Sequence, residues 1–258
     1  MGSVSAGAPS LRRLSPPASL LLLAAAAAWA GVAVLARDMG SMPGTMGLGL
    51  GAFVAVWSLM MAAMMLPSVT PFASLYSRTF TADRARRTAA LAVGYLVVWS
   101  IVAVPAFGLA WLADRSVRGH PGAATALAVT IFASCGGYQL TPLKDRCLAK
   151  CRSPLGLMLH LGAYRGRARD LRAGVYHGAF CLACCWGLMA LLVAFGLMNV
   201  VAMVALAAVV LVEKAGPSGR RFSQAVGVAS LVLAVVVVFN PHLAPGLEPA
   251  GRSMASMS

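Results

Sequence analysis

The chain has 258 residues, of which 60% are hydrophobic and 11% charged, and its mean hydropathy is +0.81. No soluble domain of this size carries that balance, so the class is an all-α polytopic transmembrane bundle. The net charge of +14 comes without a basic motif interleaved with aromatic residues, which excludes nucleic acid as a partner, and the six cysteines form no framework of an extracellular disulfide-stapled fold.

Residues 1–17 read as a flexible cytoplasmic amino terminus with Arg12 and Arg13. The apolar run 18–35 is the first span. Its basic lead and alanine-rich core also fit a signal peptide, but a second apolar segment follows almost at once. The loop between them holds Met39, Met42 and Met46. This is either an outward copper-collecting patch or a flexible turn that happens to contain methionine.

The second span, 47–66, is expected to end at Pro67 and contains Trp57, Met60, Met61, Met64 and Met65. Met60 and Met64 are one helical turn apart, as are Met61 and Met65, so two adjacent faces carry stacked thioethers. A single methionine is ordinary packing. Four in six residues also make a thioether path for Cu(I).

The third span, 88–112, has Gly94-Tyr95 for close helix approach and Pro105 as a kink. The fourth, 123–143, carries Cys135, Gly136, Gly137 and Tyr138. If that helix runs on past Pro142, Cys147 and Cys151 share one face. Residues 152–172 are basic and amphipathic, an interfacial segment over anionic headgroups.

The fifth span, 174–195, holds the densest chemistry. His177, Cys181, Cys184, Cys185 and Met189 recur at helical spacing and fall in one stripe. Imidazole, thiolate and thioether together suit Cu(I), and the first two also suit Zn(II). The structural reading stands beside it, since free Cys and Met are also apolar filler. Gly174 and Gly178 form a small-x3-small pair for helix contact. A turn with Met198 and Asn199 leads to the sixth span, 200–212, which carries Met203. The basic turn 214–221, a seventh span at 222–239 and a short polar tail over 241–258 complete the chain. Residues 18–240 are thus read as one transmembrane domain of about seven helices.

Orientation follows from charge. With the amino terminus in the cytoplasm, segments 1–17, 77–87, 144–172 and 214–221 lie inside and hold 17 of the 21 Lys and Arg residues. That asymmetry obeys the positive-inside rule. It puts Cys147 and Cys151 at the cytoplasmic surface, and Met198 at the outer end. No carboxylate is expected mid-span, which argues against Mg, Mn or Ca sites and against a proton-coupled transporter.

Several stretches resemble a bacterial family of metal-binding integral membrane proteins with a domain of unknown function, described as copper-chaperone-like. They are Trp57-x2-Met60-x3-Met64-Met65-x-Pro67, the run from Tyr138 through Cys147 and Cys151 to Pro154, the run from Gly174 through Cys181, Cys184 and Cys185 to Met189, and Gly196-x-Met198-Asn199-x3-Met203. The resemblance covers residues 47–210. It implies a multi-helix protein of the bacterial cytoplasmic (inner) membrane with a metal site.

The leading functional expectation is Cu(I) binding and handling, as a chaperone or accessory subunit. Cys181, Cys184 and Cys185 would be the thiolate ligands. His177 lies one turn before them. Met60, Met61, Met64, Met65, Met189, Met198 and Met203 would be thioether neighbours, and Cys147 with Cys151 a cytoplasmic handover pair. Besides the lipid bilayer, the partner would be a copper enzyme, a copper transporter or another subunit of a membrane complex. Two alternatives are a structural or permease-like subunit and a membrane thiol-redox protein built on Cys181-x2-Cys184. No catalytic triad, phosphate loop or carboxylate pair marks an enzyme.

Overall fold

The computed structural model describes residues 16–39, 42, 44–119, 121–153, 156 and 168–247. Among these, the chain is helical and has no strand. The helices are α1 (Pro16–Met39), α2 (Leu50–Arg78), α3 (Arg84–Ile101), α4 (Ala103–Gly119), α5 (Pro121–Gln139), α6 (Pro142–Arg152), α7 (Arg169–Phe195), α8 (Val200–Ala215) and α9 (Gly219–Phe239). Two short 3-10 turns follow, Pro241–Leu243 and Pro245–Leu247. Most of the interfacial segment expected over 152–172 lies outside the described residues, as does most of the amino terminus.

Among the described residues, five spans are long and apolar enough to cross a membrane. A sixth is present if the bent pair of α5 and α6 counts as one. Two boundaries differ from the sequence expectation, each around proline. The second span does not end at Pro67, because α2 runs on through Pro67 and Pro71 to Arg78. A helix-interior proline costs about 3 kcal/mol. Here the segment beyond Pro67 buries Val69, Thr70, Phe72, Ala73, Tyr76 and Ser77, and that burial outweighs the cost.

The third span is one apolar segment, Arg84–Arg118, interrupted at a single residue just before Pro105, as the expected kink there requires. Pro105 has no N–H to give to the carbonyl four residues back, which is that of Ile101. The chain divides there into α3 and α4, with Val102 between them. The fourth span stops at Gln139. Thr141 then caps a new helix, its hydroxyl accepting from the Lys144 amide at 3.2 Å, with Pro142 in the first turn. The α5–α6 bend is 66°. Cys147 and Cys151 keep their one-turn spacing, on a separate short helix.

Two glycine contacts hold α7 at the centre. A Cβ at Gly94 would collide with the Leu171 carbonyl, and one at Gly174 with the Leu91 carbonyl, so α3 and α7 touch backbone to backbone. Gly136 and Gly227 do the same for α5 and α9. Such close packing is what small residues provide where lipid removes the hydrophobic drive between helices. Around α7 the core collects Phe53, Trp57, Tyr76, Tyr95, Trp99 and Phe132, all buried. The Trp57 indole donates to the Trp99 carbonyl at 3.0 Å and pins α2 to α3.

Candidate metal centre

The α7 stripe is buried as a unit, with His177, Cys181, Cys184, Cys185 and Met189 all 3% exposed or less. Cys184 and Cys185 sulfurs are 3.5 Å apart, and Cys181 and Cys185 sulfurs 3.8 Å. The fourth sulfur comes from α6, where Cys151 Sγ lies 3.6 Å from Cys184 Sγ. All of these thiols are free. Two thiolates that share one ion through bonds of about 2.3 Å stand roughly 3.8 Å apart in fourfold coordination. The observed spacings are close to that value.

The thiols do not converge on a point. Among the described residues, no group of three or more His, Cys, Asp and Glu side chains is arranged as a closed metal site. The reason is local. Cys184 and Cys185 turn their S–H groups back to the Cys181 carbonyl, at 3.2 and 2.7 Å, as thiols in apolar helices do. An ion entering the cluster would have to draw these side chains off that carbonyl.

Cys181 has the most polar surroundings of the set. Lys214 Nζ donates to its sulfur at 2.7 Å, and the Tyr95 hydroxyl lies 2.9 Å from it. Lys214 Nζ also reaches Ser68 Oγ at 3.2 Å. Ser68 in turn donates to the Met65 carbonyl at 2.9 Å. The thioether stack of α2 therefore ends one turn from the group that bridges to Cys181. Met60, Met61, Met64 and Met65 are all buried, as are Met198 and Met203.

His177 stacks on Phe72, with ring centroids 4.5 Å apart, and among the described residues its buried Nδ1 has no hydrogen-bond partner. A buried polar atom normally has one, so this nitrogen stands out one turn from Cys181. Among the described residues the sulfur contacts reach Cys151 and not Cys147, which lies one turn back on α6. Cys135 is separate. It packs against Gly187 and lies 4.0 Å from Ser230 Oγ.

The sequence missed the polar scaffold behind the thiols. Lys144 and Glu213 each follow directly on an expected span, 123–143 and 200–212, where charge is unremarkable in a sequence with no carboxylate expected mid-span. Instead Lys144 Nζ and Glu213 Oε2 pair at 2.7 Å with side chains 0% and 2% exposed. Gln139 donates to Glu213 Oε1 at 2.8 Å, and Ser223 donates to Gln139 at 3.1 Å. Lys144 also donates to the Cys184 carbonyl. The Arg152 guanidinium donates to the Glu213 and Gly216 carbonyls, both at 2.6 Å. The network thus joins α5, α6, α7, α8 and α9 around the backbone of Cys184. Its sequence signal was faint: Lys144 follows Pro142 in a capped first turn, and Glu213 closes an otherwise apolar helix.

No curated protein and no solved structure matches the chain. A family model does match, over residues 57 and 177–189 alike and across residues 54–237 as a whole, and the chain belongs to the family it describes, PpoB2, copper chaperone.

Proposed function

We propose that the protein is a multi-pass protein of the bacterial cytoplasmic membrane that binds Cu(I) through its buried thiols and passes it to a copper-requiring partner. The observation that carries this reading is the run of four sulfurs, Cys151 to Cys184 to Cys185 to Cys181, in steps of 3.5–3.8 Å. Membership of a copper-chaperone family supports copper as the cargo. Soft sulfur donors favour Cu(I) over hard cations, and Zn(II) is the competing ion for the same thiolates.

Cys181, Cys184 and Cys185 are the proposed core ligands. Cys151 is the one thiol of the four on another helix, so it is suited to bring copper in or take it out. Cys147, one turn before Cys151 on α6, extends that route, and Met189 and His177 border the cluster along α7. Met60, Met61, Met64 and Met65 offer weaker thioether stops on the other side of Ser68, with Met198 and Met203 beyond them. Weak successive sites let an ion move where one tight site would trap it. The partner that receives copper would be a copper enzyme, a copper transporter or a subunit of a larger membrane complex.

The test is metal content. Detergent-purified protein is loaded anaerobically with Cu(I) or Zn(II), and wild type is compared with the Cys181/Cys184/Cys185→Ala variant. The expected result is about one copper per chain in wild type and none in the variant. Equal copper in both would overturn the ligand assignment.

A further inference from the structure

A cavity of about 640 Å³ opens between α6 and the turn joining α8 to α9. Four arginines line it, Arg146, Arg152, Arg220 and Arg221, against one carboxylate, Asp145. Two of the four are committed. Arg152 is tied to the Glu213 and Gly216 carbonyls, and Arg220 pairs with Asp145 at 2.9 Å. Among the described residues Arg146 and Arg221 make no ion pair, and both are exposed. The cavity therefore presents net positive charge. Leu148 and Ala149 add an apolar stretch of wall. A groove of this character selects an anion that also has apolar surface to bury.

The course of α9 says which anion. Arg221, Ala225, Val228, Val232, Val235 and Phe239 follow one another at steps of three and four and share one face of the helix. All six are exposed. Apart from Arg221, this face is apolar along its whole length, as a lipid-facing surface is. Arg221 thus stands at the end of the stripe that borders the cavity. A phosphate held there would lay an acyl chain down the α9 face. A free phosphate would use only the cavity.

We infer that this corner binds the phosphate of an anionic phospholipid headgroup, held by Arg146 and Arg221 with its acyl chain along α9. The phosphate gains charge-assisted hydrogen bonds from two guanidinium groups. Basic pockets between helix ends at the cytoplasmic surface are the usual setting for such headgroups. The inference rests on the membrane placement proposed above and not on copper. Its consequence is mechanical: the lipid would clamp α6, which carries Cys147 and Cys151, to the head of α9.

The test uses the full chain, delipidated in detergent. Phosphatidylglycerol, phosphatidylcholine and inorganic phosphate are titrated separately, with native mass spectrometry counting bound lipid and thermal unfolding reading stability. The expected result is retention of one phosphatidylglycerol and a raised Tm, with neither effect from phosphatidylcholine or inorganic phosphate. The Arg146→Gln/Arg221→Gln variant should bind phosphatidylglycerol roughly 30-fold more weakly, from about 1 kcal/mol per arginine near a charged surface. Both side chains are exposed, so this variant should fold and keep wild-type copper content, which separates the lipid site from the metal reading. Equal effects of the two lipids, unchanged binding in the variant, or a Tm rise with inorganic phosphate that matches phosphatidylglycerol would each overturn the lipid assignment.

Discussion

Lys214 Nζ lies 2.7 Å from Cys181 Sγ, the end of the sulfur run away from Cys151, and is shared with Ser68 at 3.2 Å. Cu(I) bound by two thiolates has net negative charge, and burying that charge without a partner is costly. Lys214 can remain as the counter-cation, because a sulfur that binds a metal still has lone pairs to accept a hydrogen bond. A hydrogen bond to a charged group contributes about 1.5–3 kcal/mol. Lys214→Met should therefore weaken copper retention by roughly 10- to 100-fold. Lys214→Arg should restore part of it. Competition against a Cu(I) chelator of known affinity measures both. Stronger retention in Lys214→Met would mean that the ammonium competes with copper for Cys181.

The Lys144–Glu213 pair makes a different prediction, about stability. Removing one partner of a buried ion pair costs about 3–5 kcal/mol, because the other charge is left unpaired. Lys144→Met alone and Glu213→Leu alone should each lower the thermal midpoint in detergent sharply. The double variant Lys144→Met/Glu213→Leu should recover much of the loss. Copper content should recover with it, since among the described residues Lys144 reaches the cluster only through the Cys184 carbonyl. A double variant that is folded but free of copper would assign Lys144 a direct part in the metal site.

Much of this architecture was legible in the sequence. Apolar runs give the spans, the three-and-four spacing of residues 177–189 gives a single buried stripe, and Gly94, Gly174 and Gly178 mark a close contact. What could not be read is where each proline acts. Pro67 and Pro71 are absorbed within α2 and Pro105 only interrupts its span, whereas Pro142 begins a new helix after a 66° bend. The outcome depends on how much surface the segment beyond each proline buries, which is a tertiary property. The same holds for Lys144, Glu213 and Lys214. Charges at the end of an apolar run look like loop residues until the α5–α6 bend brings Gln139 and Lys144 to Glu213, and the packing of α2 and α7 brings Ser68 and Cys181 to Lys214.

The α3–α7 contact gives a graded test. A methyl at Gly174 meets a backbone carbonyl that cannot yield, whereas at Gly178 the nearest atoms are a Val98 methyl at 3.1 Å and the Tyr95 carbonyl at 3.2 Å. Overpacking typically costs about 1–3 kcal/mol. Gly174→Ala should lie at or above the top of that range and Gly178→Ala near the bottom, as read by thermal unfolding. Because Tyr95 is carried on α3, Gly174→Ala should also disturb the Tyr95–Cys181 hydrogen bond and lower copper content. Equal stability of the two variants would place the tight point of the crossing elsewhere.

The cysteines themselves divide by position, and the division is the sharpest test of the copper reading. Cys184 contacts both Cys151 and Cys185, so Cys184→Ser removes the middle of the sulfur run and should abolish binding. Cys185→Ser should do the same, since it removes the link between Cys184 and Cys181. Cys151→Ser leaves three thiols on α7. Copper content should then stay near one per chain while transfer to a soluble acceptor thiol slows. Cys147→Ser, one turn away on α6, should slow transfer less. Cys135→Ser should change neither, because its sulfur packs on Gly187 and near Ser230. Stopped-flow transfer from loaded protein, run beside metal analysis, separates holding from handing over. If Cys135→Ser lost copper as fully as Cys184→Ser, the thiols would be acting through packing, and copper would have to sit elsewhere in the bundle.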